Sequence, residues 1–199
     1  MQIVLCAPDQ NGNVLKSSFF PTTVSKGYYE IVYRSDDAEF ASILDSLVEG
    51  DEMGFKAGKV QLVYRGAEDP IKSITMVTTG MGITPTMQLL KTILSDASTN
   101  IEDLEVLWIN ERKSDFILND EVEAMELKFI DNLFVTRVVD SDILNRESKI
   151  NDKVQGAITP FEEGRIAIFL GTKDVESKSL NLLETMGYTR GSIVSMLTA

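Results

Sequence analysis

Hydrophobic and polar positions follow one pattern up to about residue 70 and a different pattern beyond it. In the first part, short segments rich in aromatic and β-branched residues are separated by turn residues, which is typical of β-strands. These segments are residues 2–7, 28–33 and 58–64, with turns at 9–13 and 49–52. Apolar residues at helical spacing over 38–48 predict one short amphipathic helix between the strands.

Beyond residue 70 the pattern predicts strands alternating with helices, as in βαβ units on a parallel sheet. The predicted strands are residues 73–79, 105–110, 133–139, 165–170 and 192–197, and the predicted helices are residues 84–97, 119–128 and 175–186. Gly187 is expected to follow the last helix, because glycine adopts the left-handed conformation that ends many helices. The chain is therefore predicted to be an α/β protein, with a partial antiparallel β-barrel in residues 1–70 and a parallel-sheet domain in residues 71–199.

Composition excludes several kinds of site. The chain has no histidine, whereas Ser-His-Asp triads, HExxH zinc sites and histidine-ligated haem all need an imidazole. Its single cysteine, Cys6, cannot form an internal disulfide and is expected to be a small hydrophobic residue in a strand. The acidic runs lack the spacing of a calcium-binding loop, so no metal site is predicted.

A net charge of −12 restricts the partners that the protein can attract. An acidic surface repels the phosphates of nucleic acids and of anionic lipids, so binding of either by charge is not expected. No apolar run is long enough to span a bilayer, and the N-terminus lacks the pattern of a signal peptide. The sequence predicts a soluble protein and leaves its compartment open, either cytoplasmic or organellar, in a chloroplast or mitochondrion.

Residues 79–85, Thr-Gly-Met-Gly-Ile-Thr-Pro, connect a predicted strand to a predicted helix and form the most informative motif. Gly80 and Gly82 allow a ligand to approach the backbone, and the first amides of a helix can donate hydrogen bonds to a phosphate. Pro85 suits the first helical turn, with Thr84 as the expected N-cap residue. The motif predicts a diphosphate site, although a glycine turn that only packs a helix against a strand would explain the same residues.

Several segments resemble the ferredoxin–NADP reductase superfamily, which includes the cytochrome b5 reductase-like enzymes. Residues 79–85 are similar to the family's GGTGITP turn, residues 110–118 to its Asn-x-x-x-x-Asp-Ile-Leu segment, and residues 44–51 to its L-x-x-L-x-x-G-D segment. Members of the family combine a flavin-binding β-barrel with a nicotinamide-binding, Rossmann-like α/β domain. The resemblance implies a nucleotide turn whose residues are Gly80, Gly82, Ile83, Thr84, Pro85 and, at the place of the family's CGPP loop, Gly171.

The residues that align with the family's flavin motif, R-x-Y-[ST]-P, differ from it at each position except the proline. Ser17 replaces the arginine that pairs with the flavin phosphate, Phe19 replaces the tyrosine, and Phe20 replaces the hydroxyl residue. Loss of the guanidinium removes a contact worth about 1.5–3 kcal/mol. Phe19 and Phe20 have two interpretations, as plugs that fill the vacated flavin cavity, which we favour, or as core residues at a strand end.

A second element that binds the flavin phosphate in the family is also altered. Only Ser42 remains of its G-x-x-S loop, and Asp36, Asp37 and Glu39 bring negative charge that would repel a phosphate. Much of the barrel that precedes the flavin motif in typical members is missing here. The resemblance therefore implies a shortened barrel with an open edge, which needs cover or a partner.

The nicotinamide side departs less from the family pattern. Leu170 stands where the CGPP loop has its cysteine, Thr172 and Lys173 replace the prolines, and the C-terminal aromatic residue that stacks on flavin is absent. Asp140 and Ser141 align with the Ser-Arg pair that binds the 2′-phosphate of NADP. An acidic residue at that place implies a preference for NADH.

These departures lead to two hypotheses of function. The first is a reductase-like protein with a degraded flavin site, no catalytic residue and no cofactor, retained as a structural or regulatory subunit of a larger redox or photosynthetic electron-transfer complex. Its partners would be the other protein subunits. The alternative is an active NADH-dependent FAD oxidoreductase that passes electrons to a protein or a small acceptor.

Overall fold

The computed structural model describes residues 1–9, 11–25, 27–35, 40–63, 70–141, 154 and 156–198. The chain divides into two compact units, Met1–Val63 (unit 1) and Tyr64–Ala199 (unit 2). Among the residues that the structure describes, no helix is long and apolar enough to cross a membrane.

Unit 1 is a small antiparallel β unit with one short helix. Its elements are β1 (Ile3–Pro8), β2 (Val14–Phe19), β3 (Thr23–Ser25), β4 (Tyr28–Glu30), α1 (Phe40–Ser46) and β5 (Gly54–Ala57). Three strands form a sheet in the order β2-β1-β5, and β3 pairs with β4 in a separate hairpin. Alternate residues of β1 are buried, and Ile3, Leu5 and Ala7 form a core with Phe40 of α1.

The turn between β1 and β2 follows from its sequence. The carboxylate of Asp9 accepts hydrogen bonds from the backbone N–H groups of Asn11 at 2.8 Å and Asn13 at 2.7 Å. Gly12 has a φ of 82°, which glycine adopts without strain. The turn predicted at 9–13 is confirmed, whereas β2 was not predicted, because its polar residues conceal the apolar alternation on one face.

The strand predicted at 58–64 is wrong for residues 58–63, because the strand of this region, β5, ends at Ala57. The Gly58 N–H donates to the Gln2 carbonyl at 2.8 Å, and a Cβ at Gly58 would lie 2.9 Å from that oxygen. The chain therefore leaves β1 at this glycine. Helix α1 lies inside the predicted range 38–48, whose first two residues are outside the described part of the chain.

Unit 2 alternates strands with helices, as the sequence predicts. Its elements are β6 (Ser73–Thr79), α2 (Ile83–Ser95), β7 (Asp103–Asn110), α3 (Asn119–Lys128), β8 (Leu133–Val139), β9 (Arg165–Gly171), α4 (Lys173–Thr185) and β10 (Ile193–Leu197). The strands form one parallel sheet in the order β10-β9-β6-β7-β8. The predicted fold class, an antiparallel β unit followed by a parallel α/β sheet, is confirmed. Gly187 has a φ of 89° after α4, as expected for a residue that ends a helix.

The core of unit 2 lies on both faces of the sheet, which explains why its central strands are continuously apolar. Every residue of β6 is buried. On one face, Val77, Leu107 and Phe169 pack against Leu182 and Leu183 of α4. Near the end of β7, Trp108 is fully buried. Its ring meets the Phe116 ring edge-on, with 4.8 Å between the centroids.

Charged residues are buried at the amino edge of this sheet, where the strands begin. Arg165 at the start of β9 is 5% exposed, and its guanidinium lies 2.5 Å from Asp103, 3.0 Å from Glu162 and 3.2 Å from Glu105. Burial opposes the charge of Arg165, but the hydrogen bond with Asp103 and the charge of Glu105 outweigh it, so its pKa is raised. The cation therefore joins the starts of β7 and β9.

Tyr188, in the loop after α4, completes this cluster. Its hydroxyl donates to the Thr159 carbonyl at 2.9 Å and lies 2.9 Å from Thr75 Oγ1 in β6. Burial raises the pKa of the Tyr188 phenol above its ordinary value. Glu105 accepts a hydrogen bond from the Thr159 N–H at 3.0 Å, so the segment around residue 159 is also tied to the amino edge.

Replacement of Arg165 by methionine should destabilise the protein strongly. Asp103 and Glu105 would keep their charges in a buried setting without a cation, which costs roughly 3–5 kcal/mol, towards the lower end because Asp103 is partly exposed. Urea unfolding measures the loss. The matched control is Lys72→Met at the same edge, whose ion pair with Glu102 is exposed, so its effect should stay within about 0.5 kcal/mol. Equal losses of stability in Arg165→Met and Lys72→Met would contradict a buried cluster. Arg165→Lys keeps the charge, so its loss of stability should lie between those of the other two variants.

Tyr188→Phe should change the pH dependence of stability. An unfolded tyrosine loses its proton near pH 10.0, whereas folded Tyr188 holds it to higher pH. The stability that the neutral phenol contributes is therefore complete below about pH 10 and is lost as the pH rises through the raised pKa. Below about pH 9 the variant should be less stable by about 1 kcal/mol through the lost hydrogen bond, and the difference should shrink towards about pH 11. Urea midpoints of both proteins across this range test it, and a constant difference would contradict it.

Candidate functional site

The carboxyl edge of the parallel sheet gathers the segments that the sequence singles out. Parallel strands end at a common edge, which is where ligands bind in open α/β sheets. Gly80 follows β6, Asn110 ends β7, Asp140 follows β8 and Gly171 ends β9. The structure thus brings residues that are up to 91 positions apart onto one edge of one sheet.

The backbone at Gly80 is open and needs glycine. Gly80 has a φ of 52°, and a Cβ added there would meet nothing within 4 Å. A single turn of 3₁₀ helix, Gly80–Gly82, leads directly into α2. The N–H of Gly80 donates to the side-chain oxygen of Asn110 at 2.9 Å. A phosphate at this turn would therefore be bound by donors other than the Gly80 amide.

Gly82 and Gly171 are explained by close packing. A Cβ on Gly82 would lie 2.5 Å from the carbonyl carbon of Leu170 and 2.9 Å from Thr78 Oγ1. A Cβ on Gly171 would collide with the hydroxyl of Thr79 and lie 2.9 Å from the Phe169 ring. The packing interpretation of the glycine motif therefore accounts for these two residues, whereas Gly80 keeps an open backbone.

Helix α2 begins earlier than predicted. Its N-cap residue is Gly82, so the expectation that Thr84 is the N-cap is wrong, and the Thr84 hydroxyl donates to the Met81 carbonyl at 2.9 Å. Pro85 lies in the first turn, as expected. Ile83 is 0% and Thr84 3% exposed, and both side chains are buried, so a ligand at this turn would meet backbone atoms.

Asp140 and Ser141 directly follow the edge strand β8. The Asp140 N–H donates to the carbonyl of Asn110 at 2.9 Å, which positions the start of this segment beside β7. Asp140 is half-buried and Ser141 is exposed. A carboxylate therefore stands at the carboxyl edge two strands away from Gly80.

The residues that replace the CGPP loop and the C-terminal aromatic form a polar cluster that the sequence did not predict. Leu170 is fully buried, and Thr172 precedes α4 as its N-cap residue. Lys173 pairs with Glu176, and the Ser195 hydroxyl donates to the same carboxylate at 2.6 Å. The hydrogen bonds from Lys173 and Ser195 lower the pKa of Glu176. This cluster joins α4 to β10.

The flavin-motif residues of unit 1 lie in its core or on its helix. Ser17 and Phe19 pair with Leu5 and Ile3 and therefore face the same side of the sheet as the core. The Phe19 ring lies 6.0 Å from that of Phe40, and Phe20 is 4% exposed. Ser42 is exposed on α1, and residues 36–39 lie outside the described part of the chain.

The segment 17–21 offers a flavin phosphate no cation, and the ring of Phe19 is occupied with packing inside unit 1. These residues do not fit a flavin phosphate in the manner of the family motif. The plug interpretation of Phe19 and Phe20 stays a prediction. In the described part of the chain, no group of acidic, cysteine or histidine side chains could hold a metal ion.

One residue of the candidate site that sequence reasoning missed is Asn110. It is 3% exposed, and its side-chain amide contacts both the Gly80 turn and the loop after β7. The Asn-x-x-x-x-Asp spacing was a signal in the sequence, but it does not reveal that the side chain reaches back to residue 80.

Residues 76–175 match the family described as "Oxidoreductase NAD-binding domain". A nitrate reductase [NADH] of Ulva prolifera is 24% identical over an alignment that covers 89% of this chain and 23% of that protein. This chain thus spans about a quarter of that relative's length.

Solved structures share the fold. The cytochrome b5 reductase domain of Ulva prolifera nitrate reductase superposes with a TM-score of 0.82 at 22% identity, covering 98% of this chain and 83% of the other. The flavohem-like FAD/NAD binding domain of nitric oxide dioxygenase from Vibrio cholerae O1 biovar El Tor gives a TM-score of 0.74 at 15% identity, covering 99% and 83%. At these identities the likeness shows the fold alone. Because the family model matches half of the chain, the protein belongs to the oxidoreductase NAD-binding domain family, and its fold is the one that the resemblance to the ferredoxin–NADP reductase superfamily implies.

Proposed function

We propose that this protein is an NADH-dependent oxidoreductase and that unit 2 binds NADH at the carboxyl edge of its parallel sheet. The observation that carries the proposal is the pairing of an open glycine turn at Gly80 with the carboxylate of Asp140 on the same edge. Membership of the NAD-binding family and likeness to an NADH-dependent relative support it. This membership and this likeness favour an active NADH-dependent oxidoreductase over a non-catalytic subunit.

The residues present suit two groups of NADH, its diphosphate and the ribose of its adenosine half. The diphosphate suits the turn before α2, where backbone donors and the positive end of a 13-residue helix favour an anion. A carboxylate at the end of a neighbouring strand suits the hydroxyl groups of a ribose, as in other dinucleotide-binding sheets. The same carboxylate repels the extra phosphate of NADPH, so Asp140 selects NADH.

NADH supplies a hydride, which carries two electrons to an acceptor and leaves NAD⁺. The role of this chain is to hold the dinucleotide in a fixed orientation while the hydride leaves. Flavin is the acceptor class that the Vibrio cholerae structure's description as an FAD/NAD binding domain suggests. Ser17 and Phe19, however, supply a flavin phosphate with no partner.

A second candidate function follows from that misfit. A protein that binds NADH but no flavin would serve as a nucleotide-responsive, non-catalytic subunit of a redox complex. The core position of Phe19 and the missing cation at Ser17 favour this candidate.

The two candidates are separated by one set of measurements on the full chain. The absorbance spectrum of the purified protein, with and without added FAD, reports flavin binding, and reduction of ferricyanide reports NADH oxidation. Purified protein that shows the absorbance of bound flavin and oxidises NADH would support the oxidoreductase. Saturable NADH binding without flavin would support the nucleotide-responsive subunit, and the absence of NADH binding would overturn both candidates.

Asp140→Asn should weaken the preference for NADH over NADPH. Removal of one negative charge beside the added phosphate is worth on the order of 1–4 kcal/mol, so the ratio of the two Kd values should shift towards NADPH by about tenfold or more. Titration followed by nucleotide fluorescence measures both constants. The control, Asp131→Asn, makes the same charge change on an exposed residue just before β8, at the opposite edge, and should leave the ratio unchanged. An unchanged ratio in Asp140→Asn would contradict the role of this carboxylate.

A further inference from the structure

Asn110 is the residue through which three segments of the carboxyl edge meet. Its side-chain oxygen accepts the Gly80 N–H at 2.9 Å, and its side-chain nitrogen donates to the Asp115 carbonyl at 3.0 Å. Its own carbonyl accepts the N–H of Asp140 at 2.9 Å. One buried residue thus contacts the turn after β6, the loop after β7 and the segment after β8.

The chemistry of these contacts requires an amide of this length. Gly80 presents a hydrogen-bond donor and Asp115 presents an acceptor, and only a group with an acceptor and a donor side by side satisfies both. Aspartate would place a carboxylate against the Asp115 carbonyl, and leucine would leave both backbone groups without a partner. The side-chain amide of Asn110 therefore matches its two neighbours in only one orientation.

The position of β7 explains why this residue can reach all three segments. β7 lies between β6 and β8 in the sheet, and Asn110 pairs with Val139 at the end of the ladder. A side chain at the end of this strand is next to the turn that leaves β6, and its backbone is next to the chain that leaves β8. A residue at the end of an edge strand would have a neighbouring strand on one side only.

We propose that Asn110 is a positioning residue for the dinucleotide, whose side chain holds the Gly80 turn in place while its backbone carbonyl holds the chain at Asp140. This inference rests on the proposed function, because the turn and the carboxylate are the parts that would bind the diphosphate and the ribose. Asn110 acts through these groups, since its own side-chain amide is engaged by Gly80 and Asp115. Its loss should therefore weaken binding of nucleotides that span both groups.

The test is the affinity of the full chain for NADH and for ADP, by calorimetric titration well below the unfolding temperature. In Asn110→Ala the Kd for NADH should rise roughly tenfold, as expected when a buried hydrogen bond is lost and its partners are left unpaired. The Kd for ADP, which carries the same diphosphate and ribose, should rise by a similar factor. Asn110→Ser, whose hydroxyl is too short to span both partners, provides a milder variant and should shift both constants in the same direction.

Asn132→Ala is the matched control. The Asn132 side chain also donates from its amide to a backbone carbonyl, that of Glu102 at 2.9 Å, but at the amino edge of the sheet. The Asn132→Ala variant should have a lower unfolding midpoint and unchanged Kd values for NADH and ADP. A general loss of stability would therefore be distinguished from a loss of positioning.

A double variant tests whether Asn110 acts through Gly80. Gly80→Ala strains the same turn, so the increase in Kd in Gly80→Ala/Asn110→Ala should be smaller than the product of the two single increases. Independent effects would contradict coupling through the turn. Wild-type protein that binds neither NADH nor ADP would overturn the proposed function together with this inference. Wild-type binding with an unchanged Kd in Asn110→Ala would overturn only the role of Asn110.

Discussion

The close approach of helix α2 to the end of β9 is the contact on which the candidate site depends. Between the start of the helix and the carbonyl group of Leu170 there is no room for a side chain, and Gly82 leaves that space empty. The first turn of α2 therefore rests directly on the sheet, and the preceding Gly80 backbone arrives beside β7. Any larger residue at position 82 would displace the helix and the turn together, because the obstructing atoms belong to the backbone.

The two edges of the parallel sheet have different physical characters. At the amino edge, buried Arg165 binds partly exposed carboxylates and Thr75, and so holds β6, β7 and β9 in place through charge-assisted hydrogen bonds. At the carboxyl edge, the side chain of Asn110 makes neutral hydrogen bonds to the backbone groups of Gly80 and Asp115. The sheet is held firmly where its strands begin and has open backbone where they end. Such a scaffold can present the loops at its carboxyl edge to a ligand.

Unit 1 shows how a family position can be kept while its chemistry changes. Ser17 and Phe19 occupy strand positions that face the core, and Phe19 packs against Phe40 of the short helix. A phenyl ring gains hydrophobic burial at such a position, whereas it offers no charge to a phosphate. The fold of the unit therefore does not depend on the groups that would bind flavin, and the two properties can separate.

Hydrophobic periodicity and backbone freedom are local properties, and for that reason the alternation of strands and helices in unit 2 and the position of the glycine turn could be read from the sequence alone. The sequence did not determine β2, where Lys16, Ser17 and Ser18 interrupt the apolar pattern, nor the end of β5, where Gly58 contacts Gln2. The three-dimensional packing of the chain was needed to show that Gly82 and Gly171 serve packing while Gly80 stays open, and that Asn110 reaches Gly80. Those distinctions depend on which atoms of distant segments meet in space, and neither spacing nor composition carries that information.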